Sequence, residues 1–141
     1  MSNSTNEDSS YGVSDSSYIA AGKEVGLRKL CSDFYTLMDT LPEAKLIREM
    51  HKDNLNLMTD KLTLFLSMWL GGPRTYLDKY GSTNMPKAHS SFVINEAERD
   101  AWLLCMDKAV EQQSFRKEFK DYLKKQFRFP AEMIRKTSRY S

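Results

Sequence analysis

The chain has 141 residues, enough for one domain around a single core and too few for two domains of ordinary size. Hydrophobic residues (40%) and charged residues (28%) are balanced as in ordinary soluble globular proteins. The formal net charge of +2 is too small to indicate a nucleic acid or a membrane surface as a partner. The most apolar stretch, residues 62–70, is about half as long as the ~20 residues of a membrane span.

Residues 1–17 are polar and acidic, whereas a secretory signal has a basic end followed by an apolar run. We therefore expect a cytoplasmic protein. Tyr11 and Val13 are the only sizeable hydrophobic residues within residues 2–17, so this segment buries too little surface to offset the entropy lost on ordering. The sequence predicts a flexible polar tail over residues 1–18, in which a short helix could form on docking, and one folded domain over residues 19–141.

Cys31 and Cys105 lie far apart in apolar helical patterns and form neither a CxxC nor a CxxCH motif. This spacing argues against a zinc knuckle, a redox dithiol and a covalently attached c-type haem. Two buried free thiols in a reducing compartment are the preferred interpretation, and the sequence alone leaves a disulfide between them open.

Apolar residues recur at steps of three and four through most of the remaining chain, which is the spacing of one face of an amphipathic helix. The main helices predicted in this way carry Leu27 to Met38, Leu55 to Trp69, Ala101 to Ala109 and Phe115 to Phe127. A brief helix is predicted over residues 43–49. The glycine pair and proline at residues 71–73 predict the end of the second main helix, and Pro130 is expected to bend or end the last one.

Residues 74–92 include glycine, proline and many polar side chains, so we expect a loosely structured stretch with a short helix near His89. Asn95 stands three residues before Glu98, which predicts the start of the helix that follows. Hydrophobicity nowhere alternates with a period of two for long enough to predict a strand. The predicted fold class is therefore all-α, with unequal connections that do not suit a symmetric bundle.

His89, in this loosely structured stretch, is the first candidate for a functional residue. Taken alone, such a histidine is more often an exposed loop residue or one bonded to a backbone carbonyl. Neither a second histidine nor a carboxylate stands at zinc-ligand spacing beside it. Haem differs from zinc because the porphyrin supplies the in-plane ligands, so that one imidazole and an apolar slot suffice. The predicted helices offer large apolar faces for such a slot.

Tyr35, His51 and Trp102 each combine a bulky apolar body with one polar tip. In a pocket, three such tips could donate hydrogen bonds to a bound diatomic ligand. The alternative, which carries at least equal weight from the residues alone, is that Tyr35 and Trp102 are core aromatics and His51 is a surface residue. No Ser-His-Asp order, P-loop, GxGxxG or HExxH motif is present to indicate another chemistry. The residues alone therefore indicate no more than a small helical protein with a candidate haem pocket.

Several motifs then agree in order and spacing with one known family. They are Phe34-Tyr35, Phe65-Leu66 followed by Gly71-Gly72-Pro73-Arg74-Thr75-Tyr76, His89 three residues before Phe92, and Glu96 to Met106 with its Trp102. With these motifs the chain resembles a group II truncated haemoglobin over roughly residues 20–127. In its long polar N-terminus and its histidine at position 51, the chain resembles members of that family from cold marine bacteria.

The resemblance implies an all-α, two-over-two helical sandwich around haem b, with His89 as the axial iron ligand. It also implies that Tyr35, His51 and Trp102 surround the distal ligand, His51 standing where the family usually has Tyr or Phe. The residues implied to contact the cofactor are Met58, Leu62, Phe65, Leu66, Lys87, Phe92 and Met106.

The chain departs from the family pattern in two places. Gly22 is the only member of the family's first glycine pair and is followed by Lys23, so the turn before the first main helix is expected to be less sharp. Ala88 precedes the proximal histidine where the family usually has an arginine that contacts a haem propionate. Lys87 is then the residue left for that contact.

The resemblance implies reversible binding of O2, CO and NO, with a part in handling oxygen and reactive nitrogen and oxygen species. A further hypothesis is a six-coordinate ligand-free state in which Tyr35 or His51 reaches the iron. An enzymatic alternative is a nitric oxide dioxygenase or a peroxidase-like detoxifying enzyme, which would require a reductase partner because the chain has no flavin or NAD motif. A second alternative is a haem-free helical interaction module. We expect a monomer or a weak dimer.

Overall fold

A computed structural model of the chain describes residues 11–50, 54–81 and 96–138, and this part of the chain is helical and contains no strand. The α-helices are α1 Ser16–Ala20, α2 Lys23–Thr40, α3 Lys45–Met50, α4 Leu55–Trp69, α5 Thr75–Tyr80, α6 Glu96–Glu111 and α7 Lys117–Ser138. A 3₁₀ turn, Pro42–Ala44, precedes α3. The all-α prediction is confirmed, and each of the main predicted helices is present.

The long helices bury their apolar faces against one another. Helix α2 packs against both α4 and α6, and α6 packs against α7. The side chains between them form one hydrophobic cluster, and its largest fully buried members are Phe34, Phe119, Phe127, Leu27, Leu30, Met38, Met106 and Leu123. This packing fixes α2, α4 and α6 around the residues predicted to line a pocket.

Helix α4 begins and ends where its local sequence predicts. At its start, the Asn54 side-chain oxygen accepts a hydrogen bond from the Asn56 backbone N–H at 2.7 Å, which caps an otherwise unpaired donor. At its end, Gly71 has a φ of +93°, which favours glycine. The Gly72 N–H then bonds back to the Ser67 carbonyl oxygen at 2.7 Å. The predicted stop at the glycine pair is confirmed.

The described part of the predicted tail contacts the folded helices. The centroid of the Tyr11 ring lies 5.1 Å from that of Phe119. Gly71 approaches the chain before α1 so closely that an added Cβ would lie 1.9 Å from the Ser14 carbonyl oxygen. Tyr11, Ser17 and Tyr18 therefore pack against the folded helices, whereas residues 12–15 are exposed, and Gly71 leaves room for the backbone contact. The residues before Tyr11 lie outside the described part of the chain, and the division into tail and domain stays a prediction.

The turn before α2 is tight, so the prediction of a less sharp turn was wrong. Gly22 has a φ of +83° and Lys23 a φ of +61°, which places both in the left-handed region. An added Cβ on Gly26 would lie 1.9 Å from the Ala21 carbonyl oxygen. This close approach of α2 to Ala21 imposes the turn even though Lys23 carries a side chain.

Helix α7 runs through Pro130 to Ser138, so termination at the proline is excluded. Beyond the proline, Ala131 is buried, and Glu132 accepts a hydrogen bond from Arg99 at 2.6 Å. These tertiary contacts offset the free energy lost because proline cannot donate a backbone hydrogen bond.

The loosely structured stretch predicted over residues 74–92 contains helix α5 in its described part. The Tyr76 ring packs edge-on against Phe65 with centroids 5.8 Å apart, which holds this short helix on α4. The short helix predicted near His89 lies outside the described residues.

Candidate functional site

Tyr35 and Trp102 both contact one buried ring. The Phe34 centroid lies 4.9 Å from that of Tyr35 and 5.2 Å from that of Trp102, and both contacts are edge-on. Helix α2 carries Phe34 and Tyr35, whereas Trp102 lies on α6, so the packing of α2 on α6 creates this arrangement. The structure therefore brings together two of the three residues predicted to donate hydrogen bonds to a distal ligand.

Tyr35 is buried and uncharged. Its residue is 7% exposed, and burial together with the nearby Cys31 thiol raises the pKa of its hydroxyl well above the usual range. The hydroxyl therefore keeps its proton at neutral pH and can act as a hydrogen-bond donor. The sequence signal for the Cys31 contact is the i, i+4 spacing on one helix, which places both side chains on the same face.

The predicted lining residues on α4 and α6 belong to the same cluster as Tyr35. Met58, Leu62 and Leu66 are buried on α4, and Met106 is fully buried on α6. Phe65 and Trp102 are half-buried and pack against this cluster. The described members of the predicted site thus belong to one hydrophobic cluster or pack against it, and their roles toward a ligand stay predictions.

His51, Lys87, His89 and Phe92 lie outside the described residues. The chain has two histidines, and these are both of them, so the prediction of an axial imidazole rests on the sequence. Within the described residues, no group of three His, Cys, Asp or Glu side chains could hold a metal ion on its own.

The chemistry of the described cluster fits haem. Haem needs apolar surroundings and one protein ligand, because the porphyrin supplies the in-plane nitrogens. Within the described residues the buried polar side chains are Ser17, Thr63, Ser67 and Gln113, and none of them is ionised. An apolar surface with the neutral donors of Tyr35 and Trp102 suits a flat hydrophobic macrocycle with a small polar ligand on it.

A polar network that sequence reasoning missed connects α2, α4 and α5. The Asp60 carboxylate accepts hydrogen bonds from Arg28 at 3.1 Å, Lys79 at 2.7 Å and Tyr80 at 2.5 Å. These hydrogen bonds from Lys79, Tyr80 and Arg28 lower the pKa of Asp60 to about 2. Helix α5 is thereby attached to α4 immediately before the segment that carries His89 in the sequence.

Sequence and structure comparisons place the chain among bacterial globins. The family described as Bacterial-like globin matches residues 16–136. A curated relative, Group 2 truncated hemoglobin YjbI from Bacillus subtilis (strain 168), is 30% identical over 106 residues, which are 75% of this chain and 77% of the relative. Within the described residues, no helix combines the length and apolar character needed to cross a membrane.

Two solved structures show the same fold. The cold-adapted truncated hemoglobin from the Antarctic marine bacterium Pseudoalteromonas haloplanktis TAC125 has a TM-score of 0.79 and 31% identity, covering 84% of this chain and 95% of that one. The group II 2-on-2 hemoglobin from the plant pathogen Agrobacterium tumefaciens has a TM-score of 0.78 and 33% identity, covering 84% and 92% respectively. The predicted two-over-two helical sandwich is confirmed.

Proposed function

Because the chain belongs to the bacterial-like globin family, whose members bind haem and small diatomic ligands, we propose that it is a haem b protein that binds O2, CO and NO reversibly with His89 as axial ligand. The sequence had already indicated the group II truncated haemoglobins within this family. The observation that carries the proposal is the convergence of Tyr35 and Trp102 on Phe34 beside the apolar face of α4.

When bound, haem supplies the iron at which a diatomic ligand is held. The Tyr35 hydroxyl and the Trp102 indole N–H are neutral donors in surroundings from which water is largely excluded. Donors fixed in such surroundings stabilise negative charge more strongly than the same groups do in water. They therefore favour a ligand that gains negative charge on binding, such as O2, over the neutral CO.

The apolar side chains would hold the macrocycle and keep water out. Met58, Leu62 and Leu66 present a continuous buried face on α4, to which Phe65 adds an aromatic ring at its edge. We assign the same role to Met106 and, from the family resemblance, to Phe92. Lys87 is the proposed partner of a haem propionate, because Ala88 stands where the family usually has arginine.

Hydrogen bonds from Tyr35 and Trp102 would slow the release of a bound ligand, and slow release suits a scavenger better than a carrier. We therefore propose a cytoplasmic role in the handling of oxygen and of reactive nitrogen and oxygen species, with a reductase as the source of electrons. A second candidate is peroxidase-like chemistry, which two oxidisable rings, Trp102 and Trp69, in contact with the same phenylalanine favour.

The experiment is a stopped-flow measurement of O2 dissociation from the reduced, haem-loaded protein. Tyr35→Phe and Trp102→Phe each remove a donor, and we expect each to speed dissociation by about tenfold or more, since a hydrogen bond to a charged group contributes about 1.5–3 kcal/mol. CO dissociation should change much less. Tyr122→Phe, which removes a tyrosine hydroxyl from α7, is the matched control. Unchanged O2 dissociation in both pocket variants would reject the role of these donors.

A further inference from the structure

The two tryptophans of the chain contact the same buried ring. The Trp102 centroid lies 6.0 Å from that of Phe127, and the Phe127 centroid lies 5.4 Å from that of Trp69. Phe127 is 1% exposed and belongs to the core. The rings therefore form a continuous series across the core from α6 through α7 to the end of α4.

The inner end of this series is the candidate pocket, because Trp102 also contacts Phe34 and through it Tyr35. The outer end lies at a cavity of about 300 Å³ that is lined by Trp69 and Tyr122. Trp69 is half-buried and is one of the residues that line this cavity.

Tryptophan and tyrosine are the aromatic side chains that lose a single electron most readily, whereas phenylalanine resists oxidation. An electron can nevertheless pass between two oxidisable rings that contact a common phenylalanine, because the packed rings leave no gap to cross. Burial of Phe127 also keeps water from reacting with the rings midway. The arrangement has the composition of an electron relay, with oxidisable rings at its ends and an inert one between them.

We propose that Trp102 and Trp69 relay single electrons from the cavity at Trp69 to the pocket at Tyr35, so that the protein oxidises small phenols at Trp69 while a hydroperoxide is reduced in the pocket. This activity rests on the proposed haem function. The hydroperoxide takes up two electrons and two protons, its O–O bond breaks, and it leaves as an alcohol and water. Each of two phenol molecules gives up one electron through Trp69 and one proton to solvent, and leaves as a phenoxyl radical.

The first test traps the radical on the haem-loaded protein. The protein is treated with hydrogen peroxide and a nitroso spin trap, and the labelled residues are located by peptide mass spectrometry. We expect adducts at Trp69 or Tyr122. In Trp69→Phe these adducts should be lost, with labelling confined to Tyr35 or Trp102, and the oxidation of added guaiacol should fall.

Trp69→Tyr is the matched variant, because it restores an oxidisable ring without restoring tryptophan. It should regain the surface adduct and guaiacol oxidation, which a purely structural role of Trp69 would not predict. Equal labelling and equal guaiacol oxidation in the native protein and Trp69→Phe would overturn the relay.

The second test needs neither haem nor peroxide and uses the full chain as purified. Azide radicals made by pulse radiolysis oxidise tryptophan, and absorbance then follows the decay of tryptophan radical and the growth of tyrosine radical. In Trp69→Phe the single remaining tryptophan is Trp102, and its radical should persist longer and yield less tyrosine radical. The same decay as in the native chain would reject the relay. A protein that never takes up haem would instead reject the proposed function and the peroxidase activity that rests on it, and would leave electron transfer between the two tryptophans to be judged by this second test.

Discussion

The Tyr80 hydroxyl donates a hydrogen bond of 2.5 Å to the Asp60 carboxylate, which attaches the last residue of α5 to the middle of α4. Lys79 and Arg28 reach the same carboxylate at 2.7 Å and 3.1 Å. One acidic side chain thus joins three helices. Two of them contribute to the candidate pocket, and the third precedes the segment with His89.

Replacing Asp60 tests the strength of this attachment. The pKa of Asp60 falls to about 2 in the folded protein, so its carboxylate stabilises the fold fully above its ordinary pKa, and this contribution is lost as the pH falls toward 2. Lys79 and Arg28 are 54% and 41% exposed, so solvent screening reduces the contribution to about 1 kcal/mol. We expect Asp60→Asn to lower the free energy of unfolding by that amount at neutral pH, measured by urea denaturation.

The difference between Asp60→Asn and the native protein should shrink as the pH is lowered from about 4 to about 2. Asp78→Asn, at an exposed aspartate on α5, is the control and should leave the stability nearly unchanged. If the free energy of unfolding of Asp60→Asn stayed below that of the native protein by the same amount down to pH 2, the electrostatic explanation would be contradicted.

The left-handed backbone at Lys23 predicts a stabilising substitution. A residue with a Cβ in this conformation costs roughly 1–2 kcal/mol, and glycine avoids that cost while losing somewhat more entropy on folding. Lys23→Gly should therefore raise the free energy of unfolding by about 0.5 kcal/mol, seen as a higher Tm. Lys29→Gly, inside α2, should instead lower it by about 1 kcal/mol. A lower Tm for Lys23→Gly would show that the turn relaxes without strain.

Gly71 and Gly81 form a matched pair for the packing of the N-terminal segment. Their φ angles are similar, at +93° and +86°, but an added Cβ would lie 1.9 Å from the Ser14 carbonyl oxygen at Gly71 and meet nothing within 4 Å at Gly81. Gly81→Ala should cost only the strain of its unusual backbone conformation, about 1–3 kcal/mol. Gly71→Ala should cost clearly more by urea denaturation and expose the segment before α1 to proteolysis. An equal loss of free energy of unfolding in Gly71→Ala and Gly81→Ala would mean that the close approach of Gly71 to Ser14 contributes nothing.

Both cysteines are free and buried, which predicts slow thiol chemistry. Burial raises the pKa of Cys31 to about 12 and that of Cys105 to about 11, so almost no thiolate exists at neutral pH. Ellman's reagent should react with neither thiol in the folded protein and with both after denaturation. Rapid reaction of either thiol in the native state would contradict the packing of α2 against α6.

The helices and the end of α4 were predictable because they depend on neighbours in sequence, whereas the end of α7 and the turn before α2 were not. The steps of three and four fixed the faces of α2, α4, α6 and α7, and Gly71 marked the end of α4. Tyr35, His51 and Trp102 could be singled out from the residues alone as bulky side chains with one polar tip, whereas their placement around one ligand came from the family resemblance.

Contacts between distant residues were not predictable from periodicity. A helical pattern shows that Trp69 and Phe127 face a core without saying that they touch, and it says nothing about Asp60, whose partners lie on other helices. The packing of Tyr11 and the tight turn at Lys23 depend in the same way on tertiary contacts that outweigh local preference. His51 and His89 lie outside the described residues, so their assignment depends on the family motif.

The central claim is that His89 holds haem iron, and absorption spectra of the purified protein test it most directly. Spectra are recorded for the ferric, dithionite-reduced and CO-treated forms of the native chain, His89→Ala and His51→Ala, the last being a matched control because the chain has two histidines. We predict a Soret band that shifts on reduction and with CO in the native chain and in His51→Ala. In His89→Ala the proximal ligation should be lost and partly restored by added imidazole. A colourless chain that cannot take up haemin, or a His89→Ala variant with native spectra, would contradict it.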